Sequence, residues 1–214
     1  VQQSMFSEFI YVETDKGKAT KVINSIKTKL SMQSYHTVYM AFLHCQDTGD
    51  DIYKFLRLAF KHGKDINYML GEDIVMKLMR LQRAVSNEMN SYIEIVRFNE
   101  VADNVFISHI EPKHNILLGL VKHFQSRMPS IDWMIIDSAR SLALVHQKER
   151  DCYLHKLNSE ELKKMSKVND IKEPYKKLWK SFFKSISIKE RENLKLQRQH
   201  CPLRRRKYMT EFME

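Results

Sequence analysis

Glycine and proline are scarce in this chain, with five and four among 214 residues. That scarcity excludes a long flexible linker and a low-complexity chain. The three cysteines, Cys45, Cys152 and Cys201, are odd in number, far apart and form no C-x-x-C pair. A disulfide scaffold is thereby excluded, and free thiols in a reducing cytoplasm are expected. No apolar run approaches the roughly 18–20 residues of a membrane span, so no membrane partner is expected. The compact apolar runs, such as Ile116-Leu117-Leu118-Gly119-Leu120-Val121, suit elements packed inside a fold. No signal peptide is recognisable, and Val1 is not a usual natural start, so a further N-terminal segment is expected. Walker A, G-x-G-x-x-G, H-E-x-x-H and G-x-S-x-G motifs are all missing, and no cofactor is implied.

What is present is an ordinary globular balance, 43% hydrophobic and 29% charged. The net charge of +10 is unevenly placed. Residues 1–171 carry 23 Lys/Arg against 21 Asp/Glu, whereas residues 172–207 carry 13 against 3. A nearly neutral body with a strongly basic end points to a polyanionic partner, nucleic acid first.

Periodicity predicts an α+β fold. A 3.6-residue apolar stripe marks a helix over 15–30 (Ala19, Val22, Ile23, Ile26, Leu30). A second helix from Ser34 would bury Tyr35, Val38, Tyr39 and Phe42. A third, capped by Asp50 and stopped at Gly63, would bury Ile52, Phe55, Leu56, Ala59 and Phe60. A fourth spans 72–91 with Val75, Leu78, Leu81, Val85 and Met89 in phase. The expected architecture is therefore a bundle of about four helices over 13–92 and a small mixed or antiparallel sheet over 93–157. The strands are read at 93–98, 104–110, 133–136, 142–146 and 153–157, with one helix crossing after Pro112. Residues 158–170 read as a short helix and a surface connection. Residues 172–214 form a basic helical segment expected to pack on the 1–171 body as part of one compact domain. In its main helix Tyr175, Leu178, Trp179, Phe182, Phe183 and Ile186 are expected to face the core. Lys176, Lys177, Lys180 and Lys184 fill the outer side.

Candidate chemistry is sparse. Ser181-Phe182-Phe183-Lys184 matches S-x-x-K, but the amphipathic helix accounts for each residue. His44-Cys45 and the pair His109, His114 come nearest to ligand spacing. Neither has a second pair, and zinc needs three or four convergent ligands, so no metal site is expected. Glu111 and Asp137 end strands, where sites gather; Arg140 is placed to pair with Asp137. His114-Asn115 opens a helix whose N–H groups can hold a phosphate or be capped by Asn115. Asp137, Glu111 and His114 are thus the acid–base candidates.

Several blocks resemble a family of unknown function tied to DNA metabolism. They include VETDKGKA (12–19), VYMAFL (38–43), KFLRLAFKHG (54–63), IEPKHNILLGLVKHFQSRMP (110–129) and WMIIDSAR (133–140). LWKSFFKSISIKER (178–191) and NLKLQRQHCPLRRRKYMTEF (193–212) complete the series in the same order. The resemblance implies a DNA-repair context, with a radical-SAM DNA modification or repair protein as partner. It also implies relatives fused in front of a uracil-DNA-glycosylase-like domain. The family's Tyr-Asp-Gly segment is absent here. Leu194 stands where the family tends to have proline. Arg205 and Arg206 stand where it tends to have tyrosine and tryptophan.

Three functions stay open at this point. The first is an accessory DNA-binding protein, whose contacts would come from Lys180, Lys184, Arg191, Lys195, Arg198, Arg204, Arg205, Arg206 and Lys207. Arg57, Lys61 and Lys64 on the third helix and its exit, together with Arg127 and Arg140, would extend that surface. The second is an adaptor that docks the radical-SAM protein. The third is an enzyme acting on damaged DNA.

Overall fold

The computed structural model describes residues 13–167, 174–207 and 209–212, without the side chains of 166–167, 174–176 and 204. The fold is α+β, and the chain divides into two compact units. The first holds the described residues up to Phe42 together with Asp47–Gln82; the second holds Leu43–Gln46 and the described residues from Arg83 on.

The first unit is helical. α1 (Lys16–Ser25) starts at Asp15, whose carboxylate accepts the Lys18 N–H, and passes into a π-helical turn, Ile26–Leu30. α2 (Met32–Phe42) begins two residues before the expected Ser34; Tyr35 and Val38 of the expected face pack half-buried on the core, and the fully buried face is Ser34, Thr37, Met40 and Ala41. The polar members of that face have partners. The Ser34 hydroxyl donates to Asn67 at 3.1 Å, and the Thr37 hydroxyl donates to Gln82 at 2.9 Å. Those bonds let a polar stripe turn inward and leave Phe42 exposed. α3 (Gly49–His62) is preceded by Thr48, so Asp50 lies in the first turn instead of capping it. Gly63 ends the helix at φ 64°, a conformation glycine adopts without steric cost. Ile26, Leu30, Ala41, Phe55, Ala59, Ile66, Val75 and Leu78 make the core of this unit. Val22, Ile23 and Phe60, expected inward, are exposed.

α4 (Asp73–Ile95) contains the division between the units and runs further than expected. Residues 93–95, read as strand, continue the helix. β1 (Asn99–Ala102) follows, and then β2 (Val105–Ile110), α5 (Leu117–Arg127), β3 (Asp132–Asp137), β4 (Leu142–His146) and β5 (Tyr153–Lys156). The strands form one sheet in the order β1-β2-β3-β4-β5, antiparallel except for the parallel pair β2·β3. A parallel pair needs a crossover connection, and α5 supplies it. On one face Trp133, Phe124 and Phe98 pack edge to face, and Trp133 stacks on His146 at 5.0 Å. On the other, Ile107, Ile136, Ala143 and Leu157 pack with Leu162 and Met165 of α6 (Ser159–Lys167).

Gly119 in α5 marks a close approach to α4. A Cβ there would overlap the Met89 sulfur and lie 3.3 Å from its Cγ. Overpacking of this kind costs ~1–3 kcal/mol. Gly119→Leu is therefore expected to lower the unfolding free energy by that amount, read as a lower urea midpoint at unchanged slope, and adding Met89→Ala is expected to recover part of it. Additive losses in the double variant would show that the two positions do not meet.

Past residue 173 the second unit continues with α7 (Pro174–Ser185), α8 (Leu194–His200) and α9 (Leu203–Arg206), with 3₁₀ turns at Lys189–Arg191 and Thr210–Phe212. Asn193 caps α8 by accepting the Leu196 N–H at 2.9 Å. Among its described side chains the apolar stripe of α7 does not face a core: Leu178, Trp179, Phe182 and Ile186 are exposed, and Phe183 is half-buried against Phe212. Tyr175 lies outside the described side chains. Among the described residues no helix is long and apolar enough to cross a membrane.

Candidate functional site

The parallel pair brings the carboxyl ends of β2 and β3 side by side, with Ile110 opposite Asp137. In open α/β arrangements this is the edge where ligand sites form. The loop that leaves β2, residues 111–116, is held there from four directions. Asp137 is fully buried. One of its oxygens accepts the N–H groups of Ala139 and Arg140 at 3.0 and 3.2 Å. The other receives the Arg140 guanidinium at 2.8 Å. The same guanidinium donates to the carbonyls of Pro112 and Lys113 at 3.0 and 2.6 Å. Glu88, buried on α4, accepts the N–H groups of Lys113 and His114 at 3.1 and 2.7 Å. Lys207 reaches Glu111 at 2.7 Å, and the Asn115 N–H donates to Leu43 at 3.0 Å.

These bonds revise the reading of this loop as a phosphate cradle. The anion at the two N–H groups is the chain's own Glu88 carboxylate. Asn115 does not cap α5, whose first flanking residue is Ile116 with no side-chain cap. Burial pushes the Asp137 carboxyl above its ordinary range, and the Arg140 hydrogen bond and charge oppose that shift. With both oxygens engaged, Asp137 is arranged to fasten a loop. Glu111 is likewise engaged by Lys207.

His114 is the remaining acid–base candidate. Its ring lies 4.4 Å from that of His44, tilted by 34°. The ligand atoms of His44, Cys45 and His114 all lie within 4.8 Å of one another. The structure thus joins both members of the His44-Cys45 pair to His114 and corrects the view that neither pair had company. His109 is not part of the group. Burial, followed by the Lys113 charge for His44 and opposed by Glu88 for both, holds the two imidazoles below the ordinary histidine value. His44 Nδ1 accepts the Gln46 N–H at 3.2 Å, and His114 Nδ1 accepts the Cys45 N–H at 3.1 Å. A neutral ring that accepts at Nδ1 carries its proton at Nε2, so it offers a donor there and no lone pair. A metal would have to displace those backbone bonds and still find a fourth ligand. As arranged, the trio presents two N–H donors and an exposed thiol.

The basic side chains of the C-terminal segment, Lys177 and Lys189 among them beside the candidates read in the sequence, divide into two groups. Lys177, Lys184, Lys189, Arg191, Lys195 and Arg198 are exposed and, among the described residues, enter no ion pair. The arginine run beyond Pro202 is different. Arg205 lies over the Tyr92 ring at 5.9 Å and Arg206 over Phe212 at 4.5 Å, and both are half-buried. Arg206 also donates to the Cys201 carbonyl at 3.0 Å. Arg205 and Arg206 therefore both pack on rings of the same unit. Arg204 has no described side chain. Lys180 is half-buried, and Arg57, Lys61 and Lys64 are exposed within the first unit. Arg127 is exposed and lines a cavity of about 490 Å³ with Arg97, Phe98, Asn99 and Trp179. Arg140 is committed to the loop.

Residues 46–211 match the family model described as a domain of unknown function, DUF4130. No curated protein and no solved structure matches the chain.

Proposed function

The chain belongs to the DUF4130 family, and from that premise we propose that it is an accessory DNA-binding protein of DNA repair and DNA metabolism. The observation that carries the reading is the exposed cation set of the C-terminal segment, Lys177, Lys184, Lys189, Arg191, Lys195 and Arg198, which enters no ion pair among the described residues. Solvated cations without internal partners are available to phosphates at no cost in broken ion pairs. Phosphate contacts supply affinity without sequence choice. The repair context rests on the sequence blocks that resemble a family of DNA metabolism. Titration of a labelled DNA by fluorescence anisotropy tests the proposal. About six phosphate contacts predict a loss of roughly a thousandfold in affinity between about 50 and 200 mM salt. Absent or salt-insensitive binding would overturn it.

A second reading is an adaptor for a radical-SAM repair protein, with the protein working in the cytoplasm. The exposed Leu194, Leu196 and Leu203 favour it, since apolar side chains beside basic ones suit a protein surface. Retention of that partner by the full chain, and its loss on deleting residues 190–214, would support this reading.

A further inference from the structure

The exposed face of α7 has a composition that a duplex does not need. Trp179 is 42% and Phe182 52% exposed, and their ring centroids lie 5.9 Å apart at 37°. The Trp179 indole N–H makes one long contact, 3.4 Å, to Glu211, and its ring forms part of the wall of the 490 Å³ cavity. That volume falls in the ~300–1,000 Å³ range of pockets that take small ligands. Around it stand Arg127, exposed, and Arg97, whose guanidinium bonds Glu211 at 3.0 Å and keeps part of its surface open.

We infer that this face binds single-stranded nucleic acid, with an unstacked base seated against Trp179 in the cavity mouth. Its phosphate would meet Arg127, and a neighbouring base would lie on Phe182. The inference rests on the DNA-binding reading and narrows its substrate. An occupant has to be planar and apolar on its faces and anionic at its edge, which describes a nucleotide. In a duplex the base faces are already covered, so the rings have nothing to stack on. A bilayer surface gains nothing from a cavity walled by two guanidinium groups. Stacking on aromatic side chains beside a basic track is the common device of sequence-tolerant single-strand binding.

The test uses the full chain with an oligothymidylate and a duplex of the same length, read by anisotropy at low salt. Trp179→Ala is expected to weaken the oligothymidylate about five- to 150-fold for the one base it stacks and to leave the duplex unchanged. Trp179→Phe is expected to keep most of the binding, which also covers the case in which the alanine variant folds poorly. Because Trp133 is 1% exposed, emission quenching on titration with the oligothymidylate reports Trp179. Equal loss on both substrates, or no loss on the single strand, overturns the inference and leaves the DNA reading standing. Failure of both substrates to bind overturns both. Trp179-dependent binding to vesicles of phosphatidylserine and phosphatidylcholine, with no response to the oligonucleotide, assigns the face to a lipid surface and overturns the inference.

Discussion

Arg140→Ala is expected to destabilise the second unit by about 3 kcal/mol at neutral pH, a fall in Tm of roughly 6–12 °C. The reason lies in what the substitution leaves behind. Asp137 is wholly buried, and Arg140 is its charged partner at 2.8 Å. Removing the guanidinium also strips the Pro112 and Lys113 carbonyls of their donor. Arg140→Lys keeps a charge but cannot reach three acceptors in a fixed fork, so an intermediate loss is expected.

The pH dependence has a definite sign. Burial already raises the Asp137 carboxyl above its unfolded value, and the Arg140 hydrogen bond and charge are what hold it down. Taking Arg140 away raises it further. A carboxyl with a raised folded pKa binds its proton more tightly when folded, so its contribution is favourable at low pH and is lost as pH rises through the folded value. The deficit of Arg140→Ala should therefore be largest at neutral pH and above, and should shrink as pH falls towards the ordinary carboxylate range. Adding Asp137→Asn should recover much of the loss at neutral pH by removing the unpaired charge. A deficit that is flat with pH, or additive in the double variant, would mean that the loop does not depend on this pair.

Much of the second unit was legible in the sequence. β2, β3, β4 and β5 fall within a residue of their expected ranges, because period-two runs bounded by Pro112, Pro129 and polar turns carry that signal. β1 was misplaced for a physical reason that also hid the site. The stripe of α4 continues as Val85, Glu88 and Tyr92, all buried. The apolar pattern read through Met89 gives no sign that the helix goes on, and the β-branched Ile93, Ile95 and Val96 after it read as strand. The buried Glu88 is in fact the anion that fastens the 113–114 backbone, and only a long-range contact reveals that. The pairing of His44 with His114 is hidden in the same way. In α7 periodicity correctly shows an apolar face, but it says nothing of what covers it, and here the face is bare. In α2 the polar stripe turns inward because Asn67 and Gln82 wait for it, and no local pattern announces either.

Replacing Lys177, Lys184, Lys189, Arg191, Lys195 and Arg198 with glutamine should all but remove DNA binding. Each phosphate neutralised on B-DNA contributes about −0.9 to the slope of log affinity against log salt. If all six make contact, the slope is close to −5 and should collapse towards zero in the variant, with affinity at about 50 mM salt falling at least a thousandfold. Exposure makes this a clean comparison, because surface substitutions of this kind change stability by no more than ~0.5 kcal/mol each. Two control sets sharpen it. Arg205→Gln with Arg206→Gln removes as much charge per residue, yet these side chains lie over Tyr92 and Phe212. Their loss should appear in the melting curve, with little change in slope. Arg57, Lys61 and Lys64 belong to the first unit, so their neutralisation reports whether that unit shares the strand. A slope lowered by about one per residue there would extend the interface across the chain. An unchanged slope would confine it to the C-terminal segment, where the sequence concentrates its charge. A six-residue variant that keeps the parent's slope would remove these cations from the interface altogether.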